Sequence, residues 1–138
     1  IEICEELWGE EKKIKMANEL MGCMYVETSG TFSSSVIRLV EKPRPNPKKG
    51  QSKTMKVYEA YSKEAHRKDT SLAKSRAVGL IQFTTVAAKE RKIEKQALAL
   101  MNEIEQLDYA KKYFKLYDSY KKVTNAKQIM FRHGNYYY

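Results

Sequence analysis

Glu27 is the side chain of this sequence whose type and spacing best suit acid–base chemistry. It lies three residues after Met24 and seven after Leu20, so helical spacing places it on the apolar stripe of a helix. Burial and the negative end of the helix dipole would both raise the pKa of its carboxyl group, as a general acid at neutral pH requires. The same spacing also fits a boundary glutamate whose carboxylate is in water.

A second candidate is the segment Gly-Leu-Ile-Gln-Phe at residues 79–83. Gly79 permits a close approach that a Cβ would block. Gln82 places an amide donor and acceptor among apolar neighbours, which suits an uncharged polar ligand such as a sugar acetamido group. By composition alone, however, the segment is a buried stretch with one polar residue.

The element that must position Glu27 is a helix predicted from Gly9 to Thr28, with Gly30 as its C-cap glycine. Its predicted apolar face consists of Ile14, Ala17, Leu20, Met21, Met24 and Tyr25. The prolines at 43, 45 and 47 exclude helix there. We therefore expect residues 31–53 to form a short strand or extended piece followed by an exposed basic loop.

Helical spacing returns over residues 53–68, through Met55, Tyr58, Tyr61 and Ala65. Thr84 and Thr85 can cap a short helix that ends near Glu90. A separate short helix is expected over residues 93–101.

Asn102 and Glu105 have the spacing of a capping box and predict the start of a last helix. Its expected apolar face carries Ile104, Leu107, Phe114 and Tyr117. The length of 138 residues allows one domain, so the residues predict a mainly α domain with one extended insertion.

Three segments together resemble a known family. Ala-Val-Gly-Leu-Ile-Gln-Phe at 77–83 is similar to the Gly-Leu-Met-Gln motif of the lysozyme-like lytic transglycosylases and goose-type lysozymes. Residues 17–33 look like the helix that ends in that family's catalytic glutamate and the Ser-Gly-Phe-type turn after it. Residues 105–114 resemble a segment common in phage versions of this domain. The matches follow the family's order and cover most of the chain from 17 to 117.

The resemblance implies a single lysozyme-like α+β domain over residues 1–138 that cleaves the β-1,4 bond between N-acetylmuramic acid and N-acetylglucosamine in peptidoglycan. It implies that Glu27 is the catalytic acid and then the base. The glycan-binding residues expected with it are Ser29, Gly79, Gln82, Phe83 and Tyr109. The expected setting is a bacteriophage endolysin or virion-associated lysozyme that acts on the host wall in the periplasm, as a monomer, without metal or cofactor.

The chain departs from the family's pattern in two places. Glu27 and Gln82 are farther apart than in compact members, and the excess lies in a basic Pro/Lys-rich insertion at about 36–53 and the helix expected after it. The Ala-Tyr-Asn motif that many transglycosylases carry late in the domain is absent, and the Tyr-rich residues 119–138 match no part of the pattern.

The number of carboxylates bears on the reaction. Glycosidases usually use a pair of them, and the candidates for a second acid are Glu41, Glu59, Glu64 and Asp69, of which Glu64 is the best. Lytic transglycosylases need one glutamate, because the muramyl C6 hydroxyl is an internal nucleophile. A lone Glu27 would therefore suit a transglycosylase, whereas a hydrolase would need a second carboxylate or a positioned water.

The charge leaves two alternatives open. Lys and Arg number 26 against 17 Asp and Glu, which gives a net charge of +9 and attracts polyanions. A basic helical nucleic-acid-binding domain is one alternative, although no helix-turn-helix, zinc-finger or RNP pattern supports it. A catalytically inactive lysozyme-like structural or wall-binding module is the other.

The remaining features bound the setting of the protein. Cys4 and Cys23 are expected to be reduced and packed, and no Cys/His cluster suggests zinc. No apolar run is long enough to span a membrane, and the acidic first residues do not resemble a signal peptide.

Overall fold

Six helices and one two-stranded antiparallel sheet make up the described part of the chain, residues 1–74, 76–90 and 92–116 of a computed structural model. The elements are α1 Glu2–Trp8, α2 Lys13–Glu27, β1 Val36–Pro43, β2 Thr54–Ala60, α3 Lys63–Lys68, α4 Thr85–Glu90, α5 Lys95–Leu100 and α6 Glu103–Phe114. The protein thus combines helices with a small sheet, which agrees with the expected α+β class. The C-terminal segment at 119–138 and Tyr117 lie outside the described residues.

Helix α2 buries a face different from the one predicted. Its buried residues are Met16, Leu20, Cys23, Met24 and Glu27, which follow a repeat of four and three residues. Ile14, Met21 and Tyr25 are exposed instead. The prediction of one apolar face was wrong because it merged two neighbouring stripes of the helix. The predicted helix start at Gly9 was also too early, since Gly9 has a φ of 90° and follows the separate helix α1.

The sheet accounts for the largest correction. Residues 54–60 form β2 rather than the first part of a predicted helix over 53–68, and helix α3 is confined to Lys63–Lys68. β2 pairs with β1 from Val36↔Ala60 to Pro43↔Thr54. The helical spacing of Met55 and Tyr58 was misleading, because pairing with β1 overrides local periodicity.

The strand and exposed basic loop expected within residues 31–53 are confirmed. Residues 45–53 are exposed, and the Arg44 N–H donates to the Lys53 carbonyl at 2.7 Å where the loop closes. The Arg44 Nε also donates to the Ser52 carbonyl at 2.9 Å. We refer to residues 44–53 as the hairpin loop.

Helices α4 and α6 begin where the sequence predicted, whereas α5 begins at Lys95 rather than at residue 93. The Thr84 hydroxyl accepts the Ala87 N–H at 3.2 Å at the start of α4, and Asn102 and Glu105 form the predicted capping box of α6. The predicted face of α6 was wrong at Ile104, which is 79% exposed. The residues that α6 buries are Gln106, Ala110, Tyr113 and Phe114.

The hydrophobic core joins α1, α2, the sheet and the later helices, and its fully buried side chains include Ile37, Ile81, Phe83, Leu98 and Phe114. Cys4 and Cys23 are buried and reduced, as predicted. Burial raises the pKa of the Cys4 thiol. Among the residues described here, no helix has the length and apolar character to cross a membrane.

Candidate functional site

Glu27 is the last residue of α2 and is 1% exposed, which agrees with the buried one of the two alternatives that its spacing allowed. The helix ends here because Thr28 redirects the chain. The Thr28 hydroxyl donates to the Met24 carbonyl at 2.7 Å and accepts the Phe32 N–H at 2.9 Å. Ser29 and Gly30 then take positive φ values of 53° and 80°, a conformation that favours glycine at the end of a helix. The turn fixes the backbone beside the buried carboxyl group.

Among the carboxylates whose side chains the structure describes, Glu27 is the only buried one. Of the candidates for a second acid, Glu64 is 70% exposed and pairs with Lys68 on the same helix at 3.4 Å. The side chain of Glu41 lies outside the described part of the chain. The described part of the chain thus has one buried carboxyl group among the predicted acids, that of Glu27.

The other two candidates for a second acid are held as anions by neighbouring groups. Glu59 pairs with Lys42 at 2.5 Å, and the hydrogen bond from Lys42 lowers the pKa of Glu59. The hydroxyl and the N–H of Ser71 both donate to Asp69, at 2.5 and 3.0 Å, and lower the pKa of that carboxyl group. Neither acid therefore has the environment of a proton donor at neutral pH.

Three consecutive carbonyls, those of Ser34, Ser35 and Val36, join the chain after this turn to the rest of the site. We call them the carbonyl segment. The Ser34 carbonyl accepts Gln106 Nε2 at 2.6 Å, and the Ser35 carbonyl accepts the buried His66 Nε2 at 3.1 Å. A carbonyl can only accept, so Nε2 of His66 carries the proton.

The Val36 carbonyl accepts two donors from the segment that carries the Gly-Leu-Ile-Gln pattern. The Gly79 N–H donates at 2.8 Å and Gln82 Nε2 at 3.3 Å. Gln82 Nε2 also donates to the Gly79 carbonyl at 2.9 Å. The segment 78–83 thus docks on the start of β1, where Ile37 bridges to Val78.

Segment 78–83 is a tight turn closed by a bridge between Val78 and Phe83. The turn requires positive φ at both of its corners, 89° at Gly79 and 54° at Gln82. Glycine adopts this conformation readily, whereas it is costly for other residues. Gln82 is fully buried, and the hydrogen bonds of its side-chain amide to the Gly79 and Val36 carbonyls hold this corner in place.

The sequence predicted that another group comes close to the backbone at Gly79, and that group is the side chain of Gln106 on α6. A Cβ at Gly79 would overlap the carboxamide of Gln106, whose Oε1 accepts the Leu80 N–H at 2.9 Å. Gln106 Nε2 also donates to the Leu98 carbonyl at 2.7 Å. One buried amide therefore satisfies backbone groups of three segments. The sequence reasoning missed Gln106, and its one signal was a polar residue at a buried helical position.

Lys63 is a second residue that the sequence reasoning missed. Its ammonium donates to the Ser34 hydroxyl at 2.8 Å, to the Ala99 carbonyl at 3.0 Å and to the Met101 carbonyl. Burial lowers the pKa of Lys63. The Ser34 N–H and hydroxyl both donate to Glu103 at 3.3 Å. These contacts anchor the carbonyl segment to α3, α5 and α6.

The other predicted glycan contacts differ in their exposure. Ser29 is exposed on the turn after Glu27, and Tyr109 is half-buried on α6 with Lys112 Nζ 5.1 Å from its ring centre. Phe83 is fully buried, edge-on to Tyr113 at 5.9 Å. The structure therefore brings Gly79 and Gln82 together on the Val36 carbonyl, whereas Phe83 belongs to the core.

No cluster of three metal-ligating side chains is present within residues 1–74, 76–90 and 92–116. In comparisons with known proteins, no family model, no curated protein and no solved structure matches this chain.

Proposed function

We propose that this protein is a muramidase that cleaves the β-1,4 bond between N-acetylmuramic acid and N-acetylglucosamine in peptidoglycan, with Glu27 as the catalytic residue. The observation that carries the proposal is the burial of Glu27 at the end of α2, beside a turn that Thr28 fixes. Burial disfavours the charged form of a carboxyl group, and a protonated carboxyl can donate to a leaving oxygen.

The carbonyl segment supports the proposal because it connects the two motifs of the resemblance, the helix end at Glu27 and the segment 78–83. It begins seven residues after Glu27 and receives hydrogen bonds from Gly79 and Gln82. Ser29 and Tyr109 are accessible and would contact the glycan. Gly79, Gln82 and Phe83 are buried, so we assign them the role of shaping the groove wall rather than its surface.

Glu27 is the one buried carboxylate among the described side chains, which favours the transglycosylase version of the reaction. Glu27 would donate its proton to the glycosidic oxygen as the bond from C1 of the muramyl residue to that oxygen breaks. The C6 hydroxyl of the same sugar would then bond to C1 and return a proton to Glu27. The products would be a free N-acetylglucosamine 4-hydroxyl and a 1,6-anhydromuramyl end. This series of reaction steps needs no second carboxylate.

Glu27→Gln is the decisive variant, because it keeps the shape of the side chain and removes its acidity. We expect clearing of purified cell wall to fall by at least about 100-fold, as for the loss of a general acid. Glu64→Gln is the matched control and should clear wall at the wild-type rate, since Glu64 is solvated. Undiminished clearing by Glu27→Gln, with a wild-type unfolding midpoint, would overturn the proposal.

Mass spectrometry of the released fragments separates the two mechanisms. Anhydro ends identify a transglycosylase, and reducing ends identify a hydrolase that uses a positioned water. The proposed setting is bacteriophage lysis or wall penetration.

The nucleic-acid alternative rests on the exposed cations of the hairpin loop. It would replace the muramidase proposal if wall were not cleared while nucleic acid was retained at moderate salt. Wall binding without cleavage by the wild-type protein would instead identify the inactive module.

A further inference from the structure

A cleft of about 420 Å³ lies among the turn after α3 and helices α4 and α5. Its volume falls within the range of roughly 300–1,000 Å³ that is usual for small-molecule sites. None of the residues given above for the Glu27 site is among its described lining residues. The cleft therefore needs an explanation of its own.

The charge of the cleft is strongly positive. Lys74, Lys89 and Lys95 line it, and the one acid among its described lining residues is the exposed Glu94. The ion pairs found among described side chains involve other lysines, at positions 13, 42, 68, 111, 112 and 115. Three lysines thus line one concave surface, and no described carboxylate lies within ion-pair distance of their ammonium groups.

Lys95 distinguishes this cleft from a surface that merely carries lysines. Its side chain is only 7% exposed, and its ammonium donates to the Arg76 carbonyl at 3.0 Å. This bond uses one of the three donors of the ammonium group. Burial lowers the pKa of Lys95, and a buried cation without an opposite charge is costly. A bound anion would supply the missing charge.

The other polar groups of the cleft indicate which class of anion would bind there. Thr70 and Thr85 add hydroxyl donors to the three ammonium groups, and such a set suits an oxyanion with several acceptor oxygens. The described lining residues, with three lysines and one glutamate, carry two net positive charges, which matches a phosphate dianion better than a carboxylate. We propose that this cleft binds a phosphate group, either of a small phosphate ester or of a phosphodiester polymer. The inference is independent of the proposed muramidase activity.

The test is a titration of the full chain with inorganic phosphate at constant ionic strength, by calorimetry and by thermal unfolding. Wild type is expected to bind and to unfold at a higher temperature with phosphate. Lys95→Met should bind at least about tenfold more weakly, as for the loss of one charge-assisted hydrogen bond. The matched control is the double variant Lys48→Gln and Lys49→Gln in the hairpin loop, which removes two exposed charges and should bind as wild type does.

Two further variants keep the test decisive. Lys89→Gln removes an exposed cation of the cleft and should also weaken phosphate binding. This variant replaces Lys95→Met in the test if Lys95→Met does not fold. Glu27→Gln should bind phosphate normally, which separates this inference from the muramidase proposal.

The inference is overturned if wild type does not bind, if neither cleft variant weakens binding, or if the hairpin-loop control loses as much affinity as they do. The last result would show a general effect of net charge. Titration with glycerol phosphate and with a glycerol-phosphodiester polymer then identifies the source. Tighter binding of the first indicates a small ester, and tighter binding per phosphate of the second indicates a polymer.

Discussion

The carbonyl segment and the hairpin loop lie close together in sequence but are stabilised in opposite ways. The three carbonyls of the carbonyl segment are buried and accept hydrogen bonds from side chains 31 to 72 residues away. The hairpin loop is exposed, and its own hydrogen bonds join residues within ten positions of one another. The first region therefore depends on the whole fold, whereas the second depends mainly on itself.

Two glycines provide the sharpest test of that difference. Gly79 and Gly50 have nearly the same φ, 89° and 86°, but a Cβ at Gly79 would overlap Gln106 whereas one at Gly50 would meet open space. Gly50→Ala should cost about 1 kcal/mol of unfolding free energy through backbone strain alone. Gly79→Ala should cost about 4 kcal/mol, because it also displaces the Gln106 amide. Urea denaturation measures both values, and equal costs would contradict the comparison.

Removing Gln106 itself should have the next largest effect. Gln106→Leu leaves the Leu80 N–H and the Ser34 carbonyl without their partner and removes one of the two hydrogen bonds of the Leu98 carbonyl, which still accepts the Met101 N–H. We expect a loss of about 3 kcal/mol, at roughly 1 kcal/mol for each buried backbone group.

The effects on stability of Gly79→Ala and of replacing Gln106 should also be coupled. In a Gln106→Ala background the cost of Gly79→Ala should fall to about 1 kcal/mol, the value expected for Gly50→Ala. Additive costs in this double-mutant cycle would show that the two residues do not act on each other.

The smallest effect concerns the direction of a pH dependence. Burial lowers the pKa of Lys63 from 10.5, whereas the hydrogen bond to Glu59 raises the pKa of Lys42 from the same value. Between the folded-state pKa of Lys63 and 10.5, Lys63 is more fully protonated in the unfolded chain than in the folded protein. The contribution of Lys63 to the free energy of unfolding therefore increases as pH rises through this range. Above 10.5, Lys42 keeps its proton in the folded protein more readily than in the unfolded chain. The contribution of Lys42 to the free energy of unfolding therefore falls as pH rises through the folded-state pKa of Lys42.

Urea denaturation across the alkaline range checks this expectation. The free energy of unfolding lost in Lys63→Met should grow with pH, and the loss in Lys42→Gln should shrink. Losses that change in the same direction would show that the two lysines do not have opposite environments.

The features that the sequence predicted well are those set by nearby residues. The capping box of Asn102 and Glu105 and the cap at Thr84 are contacts over three residues. Local patterns contain all the information that these two caps need. The repeat within α2 allowed the burial of Glu27 but did not decide between a buried and a solvated carboxyl group.

The failures have the opposite cause. β2 exists because β1 is available to pair with it, which no pattern within residues 53–68 reveals. Gln106 takes an interior position because it meets backbone groups of three other segments, which lie 8, 26 and 72 residues away, whereas Ile104 is left in solvent. Lys63 is similar, since two of its acceptors are carbonyls 36 and 38 residues away. Tertiary partners decide these positions, and spacing along the chain carries no record of them.

The bonds of Gln106 also bear on how the molecule opens. Its amide joins backbone groups at Ser34, Leu80 and Leu98, so none of the three segments can detach without breaking a bond at the shared side chain. Small local openings that would expose the Leu80 amide are suppressed, and that proton should exchange with solvent only when the whole domain unfolds. The Leu80 amide is thus an internal reporter of global cooperativity.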